Sequence, residues 1–301
     1  VDLSINRLVY SGERFDQVAV KTRIYQGDVT IEQLRLEQKD KVNAALKGRL
    51  VRKEGTYQAD HLNLKVNAQS LYPFRDLLGN PTINLQNLGA VSVDGVVNGA
   101  LLKPDVNVTL NAAGAQVFAS GDLDLFPLPK GEFSVSFDSP DLAKTLQKFD
   151  VAYRPSKQTA LTLNSDVAYG INLVDLKNIT GQLNQNSFEG DMRLQLEARP
   201  ILTLNVKSPQ LDLTSLKPKE TSPTGTTNSQ KQSTAQAGTT SGSRWSHETL
   251  DLNALNGFDA DVALEAKTLI FEESRLENLF VDASLKNGLL TLKRLNSSVY
   301  G

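Results

Sequence analysis

The 301 residues carry 32 basic and 34 acidic side chains, a net charge of -2, and no cysteine. That balance gives no electrostatic footprint for nucleic acid, and the missing thiols exclude disulfides, zinc–thiolate sites and a cysteine nucleophile. No window approaches the roughly 18 consecutive apolar residues that cross a bilayer, and the N-terminal stretch VDLSINRLVYSGERF holds no signal-peptide core. Helical periodicity never lasts beyond about three turns, whereas period-two alternation recurs throughout. The expected fold is all-β and mainly antiparallel: an elongated, curved sheet of repeated hairpin units, roughly 14 strands long, with a few short helices.

In chain order, Val1 to Leu8 alternates weakly and reads as a broken strand. From Arg14, RFDQVAVKTRIYQGDVTIEQL lies without gaps on RLENLFVDASLKNGLLTLKRL from Arg275, an offset of 275 - 14 = 261. Arg14/Arg275, Val20/Val281, Gly27/Gly288, Thr30/Thr291 and Leu34/Leu295 are identical, which reads as an internal repeat or as two hairpins alike through alternation alone. Val42, Ala44, Leu46 and Leu50 turn at Glu54-Gly55 into Leu62, Leu64, Val66 and Ala68. Ser70 to Gly79 breaks the period with leucines at helical spacing. Val91, Val93, Gly95, Val97 and Gly99 follow, then Val106, Val108, Leu110 and Ala112 with a turn at Gly114, then Leu123, Leu125, Phe133, Val135 and Phe137.

Ser139-Pro140 suits a helix N-terminus, with Ser139 as cap and Pro140 in the first turn, and Leu142, Leu146 and Phe149 on one face. Leu161, Leu163, Val167 and Tyr169 resume the alternation, as do Met192, Leu194 and Leu196, then Leu202, Leu204 and Val206. Ser208-Pro209-Gln210-Leu211 is a looser third helical segment; the three such segments read as plugs or edge covers on the sheet. Residues 1–216 thus form a β-groove body. Residues 217–249 are rich in Ser, Thr, Gln and Gly and bury too little to offset the entropy of ordering, so a disordered insertion is expected. Residues 250–301 begin with a helical turn near Asp251 to Leu255 and continue as a β-hairpin module expected to rejoin the same sheet, with Val262, Leu264, Val281, Leu285, Leu290 and Leu292 on one face.

Catalytic signals are poor. His61 and His247 have no metal-ligand partner at short spacing and read as solvated, and no nucleophile elbow, zinc-binding helix or phosphate loop occurs. Asp122/Asp124 and Asp259/Asp261 have the spacing that sets both carboxylates on the polar face of one strand. Lys39, Lys41, Lys47, Arg49, Arg52 and Lys53 form one basic cluster, read as edge-strand protection or as a patch facing lipid headgroups. No cofactor or metal is expected.

The lead-in WSHETLDLNAL at Trp245 to Leu255, the strand at Asp259 to Val262, NGLLTL at Asn287 to Leu292 and the terminal Tyr300-Gly301 resemble the C-terminal module of the AsmA family, and Leu176 to Leu213 is similar to sequence of that family. The resemblance implies a non-enzymatic, lipid-transferring β-groove in the periplasm of a Gram-negative bacterium, anchored in the inner membrane by an N-terminal helix that this chain lacks. Phospholipid or another acyl lipid is the implied cargo, outer-membrane biogenesis the implied process, and envelope proteins the implied partners.

One greasy face can be covered in two ways. Closed on a second sheet it is a structural or adhesive scaffold; curled into an open gutter it is a track for acyl chains. A carbohydrate-active enzyme is a third reading and requires two carboxylates converging within about 5 to 9 Å. At about 0.8 kcal/mol per methylene, a sixteen-carbon tail faces roughly 12 kcal/mol on entering water, and a groove removes most of that barrier. The residues expected to line it are the alternating Leu46, Leu62, Leu64, Val66, Val106, Val108, Leu110, Phe133, Val135, Leu161, Leu163, Met192, Leu194, Leu196, Leu202 and Leu204, together with the six named in the C-terminal module.

Overall fold

In a computed structural model, residues 1–10, 13–39, 41–72, 75, 84–151, 155, 157–214 and 257–299 are described. The strands are β1 (Asp2–Ile5), β2 (Leu8–Tyr10), β3 (Glu13–Phe15), β4 (Gln17–Tyr25), β5 (Asp28–Gln38), β6 (Val42–Lys53), β7 (Thr56–Ala68), β8 (Val91–Ala100), β9 (Lys103–Ala112), β10 (Ala115–Asp124) and β11 (Lys130–Ser139). After the helix α1 (Leu142–Gln147) come β12 (Leu161–Gly170), β13 (Leu173–Leu183), β14 (Asn186–Gln195), β15 (Ile201–Asp212), β16 (Asp259–Phe271), β17 (Ser274–Lys286) and β18 (Leu289–Val299). Two-residue turns with both residues at positive φ, such as Gln26-Gly27 at 51° and 90° and Asn287-Gly288 at 51° and 76°, match the right-handed twist of the strands they join. No described helix is long and apolar enough to cross a membrane.

Sixteen strands form one open sheet in which β1, then β4 through β18, follow one another in chain order, and β2 pairs with β3 as a separate ribbon. At about 4.8 Å per strand the sheet spans roughly 70 Å. Every neighbouring pair is antiparallel except β15 and β16, which run parallel from Ile201↔Asp259 to Asp212↔Ile270. The strands beyond residue 257 therefore continue the same sheet. Lys41 to Lys53 do not protect an edge, because β6 lies between β5 and β7.

The register separates two faces. Leu3, Val20, Leu34, Leu46, Leu64, Gly95, Val108, Ala119 and Val135 stand opposite one another from β1 to β11. From Phe133 the line continues through Val167, Leu176, Met192, Leu204, Val262 and Ala283 to Leu292 on β18. On the opposite face Asn43, Asn67, Ser92, Asn111, Gln116, Asp138, Thr162, Gln182 and Ser187 form a polar row. Cross-strand ion pairs such as Lys65–Asp94 at 2.8 Å and Arg193–Asp175 at 2.9 Å decorate that polar face.

The two long edges differ. The connections 69–90 and 140–160 leave and re-enter at one edge; 213–258 starts at that edge and ends at the other, which is otherwise closed by short turns. In the first of these, Leu85 and Leu88 pack on Val91 and Ala113, with Leu71, Val93, Leu110 and Ala112 partly buried beside them. Most of Ser70 to Gly79 lies outside the described residues, as do 217–249 and Asp251 to Leu255.

Two local expectations are corrected. Asp141, not Ser139, caps α1, its carboxylate accepting the Lys144 N–H at 3.2 Å. Ser139 instead ends β11, is buried, and shares a 2.8 Å hydrogen bond with the Thr145 hydroxyl. Ser208 to Leu211 is not helical, because β15 runs straight through it. The ladder to β14 stops at Lys207, so Pro209 removes no antiparallel partner, and the Ser208 hydroxyl bonds Ser187 O at 2.7 Å.

The hairpins β4–β5 and β17–β18 correspond at the offset of 261: 28 + 261 = 289 and 38 + 261 = 299 reproduce the limits of β18 and 25 + 261 = 286 the end of β17, although β17 starts earlier and carries a further slip between Glu277 and Phe280. Even the bulge is shared. Pairing slips after Lys21↔Gln33 to Thr22↔Ile31 in the first, and after Asp282↔Arg294 to Ala283↔Leu292 in the second. The ion pair at that point is kept with its sign reversed, Lys21–Glu32 at 3.2 Å against Asp282–Lys293 at 3.9 Å. Alternation alone requires neither feature.

Candidate functional site

The apolar face is built from one repeated instruction: a mostly aliphatic residue at every second position of each strand, held in phase across turns of different length and across β-bulges. Its floor is kept low by glycine. The Phe133 ring lies against Gly131 and the Phe188 ring against Gly181, with ring atoms 2.5 Å from where a Cβ of either glycine would stand. Larger side chains at those positions would push both rings off the sheet.

The register places Leu46, Leu62, Leu64, Val66, Val106, Val108, Leu110, Phe133 and Val135 on this face, and with them Leu161, Leu163, Met192, Leu194, Leu202, Leu204, Val262, Leu264, Val281, Leu285, Leu290 and Leu292. Leu196 falls just beyond the end of β14 and is 41% exposed, so it belongs to the turn and not to the face. Leu285 is only 4% exposed, whereas Leu290 and Leu292 are more than half exposed. The others are half-buried, and among the described residues no second sheet covers them. Leu110 differs from its row in being tucked beside Leu85 and Leu88.

Sequence reasoning missed the edge closed by short turns. Exposed large apolar side chains line it: Leu102, Phe126, Ile171 and Leu196 in its turns, and Tyr25, Tyr57 and Leu289 in the strands beside them. The available signal was a set of apolar residues at turn positions, where polar ones are the rule. At the opposite edge, Val42, Ala68, Ala90 and Val91 border a cavity of about 1020 Å³ together with polar residues that include Lys39, Lys41, Asn43, Asn67 and Asn111.

The carboxylates are occupied in structural pairs. Asp259 accepts the Asn287 N–H at 2.9 Å and Arg199 Nε at 2.6 Å, and these two contacts hold its carboxyl below the usual range. Asp261 is likewise lowered by its 2.7 Å hydrogen bond from Lys293 Nζ. Together they clasp the β14–β15 turn, the start of β16 and the β17–β18 hairpin. Asp124 receives Lys103 at 3.3 Å and the Phe126 N–H at 3.3 Å. His61 is exposed at positive φ, its N–H bonded to Asn98 Oδ1 at 2.9 Å and its ring to Asp60 at 2.8 Å.

An open, mainly antiparallel sheet, apolar along one face and covered beside Val91 and Ala113 by Leu85 and Leu88, is an architecture that the alternation in this chain supports along its length. Among curated proteins and solved structures nothing matches the chain significantly. Residues 21–301 match the sequence model described as the AsmA family, nearly the whole of the sheet, and the chain belongs to that family.

Proposed function

We propose that this chain is a non-enzymatic lipid-holding segment whose apolar face receives phospholipid acyl chains and leaves headgroups in water. The AsmA family is a bacterial envelope family and is generally non-enzymatic, which favours an envelope lipid over a soluble substrate. The observation that carries the reading is the apolar line that runs from Leu3 on β1 to Val135 on β11 and, displaced by two residues to Phe133, on to Leu292 on β18, without a covering sheet among the described residues. An aliphatic floor offers transfer free energy of about 0.8 kcal/mol per methylene at every position along it, so a tail can shift from strand to strand without meeting water. Passage between the inner and outer membranes, in support of outer-membrane biogenesis, and anchoring in the inner membrane extend the same reading.

Native mass spectrometry of the detergent-free chain, with organic extraction of what accompanies it, tests the proposal. Co-purifying phospholipid is the expected result. A cooperative fold with a clean apo mass, unchanged after incubation with phospholipid vesicles, overturns it in favour of a scaffold.

A further inference from the structure

At the edge closed by short turns, two neighbouring turns form one unit. The Leu125 N–H donates to Leu102 O at 2.9 Å, joining the Leu101-Leu102 turn between β8 and β9 to the connection Leu125-Phe126-Pro127-Leu128-Pro129 between β10 and β11. No polar side chain belongs to either turn. Leu101, Leu102, Leu125, Phe126 and Leu128 are all exposed, Leu102, Phe126 and Leu128 by 60%, 68% and 59%. The short turns 113–114, 184–185 and 272–273 of the opposite edge carry no exposed large apolar residue.

Charges follow in order behind this tip. Lys103, Asp124 and Lys130 stand where the strands leave it, and two ammonium groups, at 3.3 and 3.9 Å, share the one carboxylate, a net charge of 2 - 1 = +1. Two residues further along the strands, about 7 Å away, Asp105, Asp122 and Glu132 stand directly opposite one another on the polar face. All three are exposed, and none has an ion-pair partner among the described residues. Like charges in that register destabilise a sheet, so folding alone does not account for the row.

The order apolar, cationic, anionic is the complement of a zwitterionic phospholipid leaflet met from the inside outward: acyl chains, phosphate, ammonium. The headgroup layer of a leaflet is about 5 to 8 Å deep, close to the separation of the two charged rows. Turn backbone also leaves N–H and C=O groups to water, which a membrane interface supplies and a folded protein partner would have to replace. We propose that the β8–β9 and β10–β11 turns form a membrane-contact tip that enters the acyl boundary of a zwitterionic phospholipid bilayer. The contact uses turn residues and not the apolar face, so it is separable from lipid holding.

The chain has no cysteine, so Leu128→Cys can carry a single fluorophore. With vesicles of phosphatidylcholine and phosphatidylethanolamine, acyl-brominated lipid is expected to quench that label and to leave the same label at Glu273→Cys, on the opposite edge, unquenched. In vesicle flotation, the combined variant Leu102→Asp, Phe126→Asp and Leu128→Asp is expected to bind at least about 100-fold more weakly, with melting and co-purifying phospholipid as in the wild type. Adding anionic phosphatidylglycerol is expected to weaken wild-type binding, and Asp105→Asn, Asp122→Asn and Glu132→Gln together to remove that sensitivity. A wild-type chain that does not float with zwitterionic vesicles, an aspartate variant that floats as well as the wild type, equal quenching at the two edges, or tighter binding to anionic vesicles overturns the proposal.

Discussion

Leu64 is the most informative position at which to test lipid occupancy. It lies on the apolar face between Leu46 and Gly95, is half-buried, and stands clear of the Leu85 and Leu88 plug. Leu64→Asp removes a side chain whose full burial is worth about 2 kcal/mol, and half of that, about 1 kcal/mol, is the expected loss of stability in the empty protein. Beneath an acyl chain the new carboxylate must take up a proton rather than remain charged. From an ordinary value of about 3.9, protonation at pH 7.4 costs about 3.5 × 1.36, roughly 5 kcal/mol, so occupancy falls by up to about three orders of magnitude. At pH 4 that cost drops below about 1 kcal/mol, and acidification restores binding. The assay is lipid per protein by native mass spectrometry at both pH values, with thermal melting as the folding control and Leu64→Asn as the uncharged comparison. Wild-type lipid content in the aspartate variant at pH 7.4, or loss that persists at pH 4 in a protein that melts normally, refutes the reasoning.

Leu110→Asp strikes the cluster of Leu85, Leu88, Val91 and Ala113 and is expected to cost at least about 2 kcal/mol more in urea unfolding than Leu64→Asp. Gly190→Ala drives a Cβ into the backbone carbonyl of Asn205, where no flexible side chain can give way, and is expected to lower stability by about 2 to 4 kcal/mol in the same assay. Thr145→Val strands the buried Ser139 hydroxyl, with an expected loss of about 1 to 2 kcal/mol and faster hydrogen exchange in and around α1. Asp259 has its folded pKa depressed by the Asn287 N–H and Arg199, so its stabilisation is complete above the unfolded value near 3.8 and is lost as pH falls through the lower folded value. Exchange at the β17–β18 turn should accelerate below about pH 4 in the wild type, and Asp259→Asn should flatten that dependence.

The phase of the strands was readable because one face is apolar throughout: a slip of one residue would have turned Leu62, Leu64 and Val66 outward together. Turn chemistry at Glu54-Gly55, Gly114 and Asn287-Gly288 was equally legible, since positive φ favours these residues. What escaped was decided by distant parts of the chain. Ser208-Pro209 resembles a helix start until β16 arrives to pair with it, and the parallel junction leaves no local mark. Ser139 carries the residue type of a cap, but the β11 ladder claims it and leaves Asp141 to do the capping. The apolar turns at Leu102 and Phe126 carry none of the polar residues that usually mark a turn. Roughly 14 strands were expected and 16 join the main sheet, short β1 among them.

The parallel junction also dictates an order of assembly during synthesis. Up to β15, each strand of the main sheet pairs with one that has only just emerged, so that sheet can grow by zippering as the chain is made. At β15 this stops. Ile201 meets Asp259, 259 - 201 = 58 residues later, across a connection of residues 213–258. Closing that connection costs roughly 3 kcal/mol more entropy than closing a two-residue turn, before any new ladder bond forms. Strands β16, β17 and β18 can therefore form their own antiparallel trio first and dock as a unit. Until they do, the outer side of β15 is a temporary sheet end, exposed to whatever strand is nearest on the ribosome or in the compartment where the chain matures.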